Sequence, residues 1–140
     1  MNCRVVYFTK TGHSKKIAGA IAGELQLQAD DLKSKPVLKD VDLLFVVGGI
    51  YAGGNDPEMI RCIETIDSSM VKKVALVTSC ASGKMKQVKV RKALEKNDIE
   101  VLPDEFVCRG SFLLLGLGHP NQADLDNAVA YARTVIENNK

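Results

Sequence analysis

Cys3-Arg4-Val5-Val6-Tyr7-Phe8-Thr9-Lys10-Thr11-Gly12-His13-Ser14 runs from an apolar strand, through a polar loop, to the start of a helix near Lys15. A loop at such a junction turns several backbone N–H groups toward one point, at the positive end of a helix dipole. The hydroxyls of Thr9, Thr11 and Ser14 can join those amides around a single phosphate. This stretch therefore predicts a βα unit whose turn binds a phosphorylated ligand.

The rest of the chain repeats the alternation of strand and helix. Strands are expected at residues 3–8, weakly at 27–32, at 43–48, at 74–79, and in a split form within 99–112. Leu43-Leu44-Phe45-Val46-Val47 and Val74-Ala75-Leu76-Val77 are apolar throughout, as parallel strands covered on both faces are. Between them lie amphipathic helices. Ile17, Ile21 and Leu25 form one stripe, with Gly19 and Gly23 expected where that helix packs closely on the sheet. Asp56 and Pro57 read as N-cap and first helical residue. Leu125, Ala128, Val129, Ala132, Val135 and Ile136 line a last helix that Asn121 or Asp124 could cap. Residues 33–41 hold at most a short helix, because Pro36 interrupts the pattern. A helix carrying several lysines is expected over residues 84–96.

Such an order implies right-handed crossovers and an α/β, doubly wound, five-stranded parallel sheet in a three-layer α/β/α sandwich, with strand order 2-1-3-4-5. Ligands of these sheets bind beyond the carboxyl ends of the strands, at the switch between strands 1 and 3. Three loops meet there: residues 9–14, 49–55 and 80–83.

The chain has 140 residues, 46% hydrophobic and 26% charged, with a formal net charge of +2. It is expected to form one domain over residues 1–140. The charge is too small to argue for nucleic acid, and no run approaches the roughly 18 apolar residues of a membrane span. A first strand at residue 3 leaves no room for a secretory signal, so a cytoplasmic protein is expected. Cys3, Cys62, Cys80 and Cys108 are widely spaced and form no C-x-x-C pair. They read as reduced, mostly buried thiols, and no metal site is expected.

Several phosphate chemistries are excluded by sequence. Gly83-Lys84 is followed by Met85, and Thr78 stands where a Walker A loop requires its first glycine. There is no G-x-G-x-x-G. Lys86 occupies the place of arginine in a C-x5-R phosphatase loop begun at Cys80. A receiver domain needs acids after strand 1 and an aspartate ending strand 3, where this chain has Thr9, Lys10 and Gly48-Gly49.

Thr9-x-Thr11-Gly12-x-Ser14 directly after the first strand resembles the FMN phosphate loop of the flavodoxin family. Asp42-Leu43-Leu44 leading to Gly49-Ile50-Tyr51, Thr78-Ser79-Cys80, and Gly118-His119-Pro120-Asn121 before the last helix agree with it, so the resemblance spans essentially the whole chain. It implies a short-chain flavodoxin-like protein whose FMN phosphate is held by Thr9, Lys10, Thr11, Gly12, His13 and Ser14. The isoalloxazine would lie between Ile50, Tyr51, Ala52, Gly53 and Gly54 on one side and Ser79, Cys80, Ala81, Ser82 and Gly83 on the other.

By position, Tyr51 would stack on the flavin or else cover the edge of the core. The peptide between Ala52 and Gly53 would reorient when the flavin takes its first electron. His13 would donate to the phosphate or face solvent. No catalytic side chain is implied, and Cys80 is not expected to act as a nucleophile. The implied function is one-electron transfer between redox partner proteins, and the alternative is an NAD(P)H-dependent FMN or quinone reductase on the same fold.

Two features depart from the family pattern. Flavodoxins are usually strongly acidic, whereas residues 84–96 carry Lys84, Lys86, Lys89, Arg91, Lys92 and Lys96 against Glu95 alone. These are either a solvated face or a surface for an acidic partner. With Lys10, Lys15 and Lys16 nearby as well, the second reduction step is expected at a less negative potential. The residues from Cys80 to Gly83 also include no aromatic side chain. Phe112-Leu113-Leu114-Leu115-Gly116-Leu117 is apolar enough for core, flavin wall or interface.

Overall fold

The computed structural model describes residues 1–51, 54–110 and 118–140. Its elements are β1 (Cys3–Tyr7), α1 (His13–Glu24), β2 (Ala29–Asp31), a 3₁₀ turn (Leu32–Ser34), β3 (Val41–Ile50), α2 (Pro57–Glu64), β4 (Val71–Cys80), α3 (Val88–Lys96), β5 (Glu100–Val101), β6 (Phe106–Arg109) and α4 (Gln122–Asn138). The strands pair in parallel in the order β2-β1-β3-β4-β5, and β6 also pairs with β4.

The fifth place in the sheet is thus shared by β5 and β6, as the split pattern predicts. Val101 stands beside Val74 and Phe106 beside Val77. Between them, Pro103 offers no N–H to a ladder, and Glu105 is turned inward to reach Thr78.

The unbroken apolar runs follow from burial on both faces. Val6, Leu44, Val46, Val74 and Leu76 point to one side, with Met59 and Ile63 of α2 and Val90 and Leu94 of α3. Val5, Phe45, Val47, Ala75 and Val77 point to the other, with Ile17, Ala18 and Ile21 of α1 and Ala128, Ala132 and Val135 of α4. The result is the expected α/β/α sandwich.

Two local expectations change. Gly19 and Gly23 are exposed, and a Cβ at either would meet nothing within 4 Å. Ala18 and Ala22 make the contact with the sheet instead. The basic helix begins at Val88, which leaves Lys84 and Lys86 in the loop before it. Its start is fixed because Glu105 Oε2 accepts from the Gln87 N–H at 2.7 Å, and the Gln87 side chain is buried.

At α4, Asn121 and Asp124 cap reciprocally. Asn121 Oδ1 accepts from the Asp124 N–H at 2.9 Å, and Asp124 Oδ2 accepts from the Asn121 N–H at 2.8 Å. The expectations placed on Ala52 and Gly53, and on residues 112–117, lie outside the described residues.

Candidate functional site

The carboxyl ends of β1, β3, β4 and β6 open on one side of the sheet, and the predicted loops meet there. Gly12 precedes α1 with φ 88°, a left-handed conformation that suits glycine, and its N–H donates to Thr9 Oγ1 at 2.8 Å. The turn leaves the N–H groups of His13, Ser14 and Lys15 at the helix start, where no intrahelical acceptor exists.

Ser14 is fully buried, and its Oγ has no hydrogen-bond partner among the described residues. A hydroxyl in that condition is costly unless something completes it. Thr11 Oγ1 and His13 Nδ1 stand 2.9 Å apart. Burial, and then the charge of Lys16, push the His13 pKa down, so its imidazole favours the neutral form.

β3 ends at Ile50, buried, and the loop after it begins with Tyr51, half-buried. Tyr51 and Gly54 exchange two backbone hydrogen bonds, at 2.8 and 3.1 Å. The Tyr51 ring folds back over Gly49, where an added Cβ would lie 2.7 Å from its hydroxyl. That hydroxyl accepts from the Lys10 N–H at 3.4 Å, and Lys10 Nζ lies 5.5 Å from the ring centroid. Tyr51 therefore spans the first and second loops.

Lys10 has a carboxylate partner of its own. Its ammonium is 2.7 Å from Asp56 Oδ2, whose other oxygen caps α2. The hydrogen bond to Asp56 raises the Lys10 pKa, and the same bond lowers that of Asp56 against its partial burial.

The third loop follows β4. Ser79 and Cys80 are buried, Ala81 and Gly83 half-buried, and Ser82 exposed. Cys80 O accepts from the N–H groups of Gly83 and Gly110, at 2.9 and 3.1 Å. Burial raises the Cys80 thiol, but donation from the Ser82 hydroxyl (3.3 Å) and from the backbone of Met85, Ser82 and Lys84 outweighs it and leaves the pKa lowered. Cys108 is pushed up to about 12, chiefly by burial and then by the charge of Asp124.

A Cβ at Gly110 would collide with Ser79 Oγ and lie 3.7 Å from His13 Nδ1, so the end of β6 reaches the first loop. The Arg109 side chain covers Gly83, with its Cγ 3.0 Å from where a Cβ would be.

Sequence reasoning missed a buried polar chain beneath these loops. The Glu105 side chain is fully buried, and its Oε2 accepts from Thr78 Oγ1 at 2.7 Å. An ionised carboxylate only accepts, so the threonine hydroxyl donates to it and accepts from Gln87 Nε2 at 3.0 Å. Gln87 Nε2 also donates to Val77 O at 2.9 Å, which turns Oε1 toward Asn55 Nδ2 at 3.2 Å. Asn55 Nδ2 in turn donates to Gly49 O at 3.1 Å.

Arg91 Nη2 faces Glu105 Oε1 at 3.5 Å. The second loop is thereby tied to β4, α3 and β6. Nothing in the local sequence around Asn55, Gln87 or Glu105 marks them as partners, since 32 and 18 residues separate the successive pairs.

Among the described residues, no group of three or more metal-ligating side chains occurs, and no helix is long and apolar enough to cross a membrane. A larger hollow of about 630 Å³ lies at the opposite end, around Met1, Asn2, Leu25 and Ile136. It has none of the converging N–H and hydroxyl groups found at the three loops, so chemistry and not volume marks the site.

A flavodoxin domain model matches residues 4–114. An uncharacterized protein of Methanocaldococcus jannaschii is 29% identical over 140 residues, covering 90% of this chain and 91% of that protein. Among solved structures, a flavodoxin from the domain Archaea superposes with TM-score 0.79 at 16% identity, covering 99% of this chain and 98% of the other. A short-chain flavodoxin associated with a PDU bacterial microcompartment gives TM-score 0.74 at 15% identity, with full coverage of both chains.

Proposed function

The chain belongs to the flavodoxin domain family, and we propose that its three-loop site holds FMN and that the protein carries electrons one at a time between redox partners. The observation that carries this reading is the Ser14 hydroxyl, buried and without a partner at the head of α1. A phosphate there would accept from Ser14 Oγ and from the first N–H groups of the helix. Gly12 lets the backbone turn closely around it, and Thr9 Oγ1 holds that turn. Bound FMN would supply the redox chemistry, while the protein supplies binding, orientation and electrostatics.

Tyr51 is anchored at the mouth of the site by Lys10, with Gly49 beneath it, and would present its ring to the isoalloxazine. The Asn55–Gln87–Thr78–Glu105 chain holds the second loop against β4 and the start of α3. Lys10, whose charge Asp56 offsets, would contribute less to the phosphate than the hydroxyls do.

The reading is tested by the colour of the purified protein and by identifying the flavin released on heating. A colourless protein that fails to take up added FMN would overturn it. A reductase on the same scaffold remains the second reading, favoured by the lack of an aromatic side chain from Cys80 to Gly83. Rapid NADPH oxidation without any partner protein would select it.

A further inference from the structure

We infer that the rim of the site beside the third loop is an encounter surface for an acidic redox protein. This inference deepens the carrier reading and rests on it. The residues that follow the third loop are exposed: Lys84, Met85, Lys86, Val88, Lys89 and Lys92. Arg109, also exposed, joins them from β6, because its side chain lies across Gly83. The patch is thus assembled from two separate parts of the chain and reaches the loop that would border the flavin.

Its charge is uncompensated. Among the described residues, no carboxylate lies within ion-pair distance of Lys84, Lys86, Lys89, Lys92 or Arg109. Of the other cations near the site, Lys10 is engaged by Asp56 and Arg91 by Glu105. Residues 84–96 hold six basic side chains against one acid in a chain of net charge +2, so the remainder is net negative and the positive field is local.

Within it stand two exposed apolar side chains, Met85 at 41% and Val88 at 55% exposure. An apolar centre rimmed by lysines is how a small transient protein interface is built. A surface for solvation alone would not need them. Unpaired lysines steer an acidic partner and speed its arrival more than they tighten the complex. On docking, one electron would leave the partner's reduced iron–sulfur cluster and reduce the flavin by one electron, with no bond formed or broken.

The test uses a small acidic ferredoxin as probe, with binding followed by calorimetry on both flavin-free and flavin-loaded chain. The ionic strength is set at about 0.01 M and again at about 0.15 M, where the Debye length is about 30 Å and about 8 Å. The expected result is binding to the wild type that Lys84→Glu/Lys86→Glu/Lys89→Glu weakens about tenfold or more at the lower ionic strength, with the difference shrinking at the higher one. Met85→Ser/Val88→Ser should weaken binding at both.

The same charge reversal at Lys39, Lys72 and Lys140, toward the amino ends of the strands, should have a much smaller effect. Equal loss from the two triple reversals would reduce the effect to net charge and overturn the inference. So would absence of binding by the wild type, or binding of anionic vesicles or DNA through these lysines in place of the ferredoxin. A chain that binds the probe but no FMN would sink the carrier reading and leave the surface standing.

Discussion

Lys10 Nζ lies 2.7 Å from Asp56 Oδ2, while Asp56 Oδ1 accepts from the Glu58 N–H at 2.8 Å. One carboxylate therefore starts α2 and fastens the loop after β1 to the loop after β3. The ammonium of the lysine in the first loop is thereby paired with this acid. An anion bound at the first loop would rest on its hydroxyls and amides.

Replacing Asp56 should thus reveal two roles. Asp56→Ala removes the N-cap and should lower stability by about 1 kcal/mol in chemical denaturation. Asp56→Asn keeps a capping oxygen and loses only the charge. The lowered Asp56 pKa means its contribution is complete above the ordinary carboxylate value and is lost as pH falls through the lowered one. Melting temperature should therefore fall less steeply on acidification in Asp56→Asn than in the wild type. Identical slopes would show the pair to be energetically silent.

Ser14→Ala should separate folding from ligand binding. The flavin-free protein loses an unpartnered buried hydroxyl, so its melting temperature should stay the same or rise. FMN affinity should fall about tenfold or more, equivalent to about 1.4 kcal/mol. A variant that melts lower without flavin, yet binds FMN normally, would mean the hydroxyl serves the fold.

Gly48 and Gly49 are adjacent and should respond differently to alanine. A Cβ at Gly48 meets Met59 Cε at 2.5 Å and Gln87 Oε1 at 2.6 Å, and both side chains are fully buried. Overpacking there should destabilise by about 1–3 kcal/mol. The three atoms nearest a Cβ at Gly49 all belong to the half-buried Tyr51 side chain, at 2.7 to 3.0 Å. Gly49→Ala should keep a near-normal denaturation midpoint, shift the Tyr51 ring resonances and weaken FMN binding. Unmoved ring resonances would refute the proposed contact.

Gly19→Ala and Gly23→Ala should each stabilise the protein by about 0.4–1 kcal/mol. Both sites face open space in α1 at negative φ, and alanine restricts the unfolded chain. A loss of stability in urea titrations would place these glycines against the sheet after all.

Much of the fold was legible because its determinants are local. Val5-Val6, Leu43-Leu44-Phe45-Val46-Val47 and Val74-Ala75-Leu76-Val77 are apolar on both faces of a strand, which only a sheet covered on both sides accommodates. The alternation with amphipathic helices then leaves few topologies. The first loop was legible for the same reason, since Gly12 and the Thr9 bond that shapes it lie within four residues of each other. The sequence pattern misjudged Gly19 and Gly23 because it shows which helix face is apolar, but not how closely the backbone approaches the sheet there.

The sequence by itself determined a parallel α/β sheet with a hydroxyl-bearing glycine turn after its first strand, because periodicity and turn chemistry act over a few residues. Only the tertiary structure decided that Lys10 belongs to Asp56, that Glu105 orients Thr78, Gln87 and Asn55 in one direction, and that Arg109 extends the lysine patch across Gly83. These pairings join residues far apart in the chain. Hydrogen bonds and ion pairs act over a few ångströms, so such partners are chosen only when the packed sheet brings the ends of its strands together.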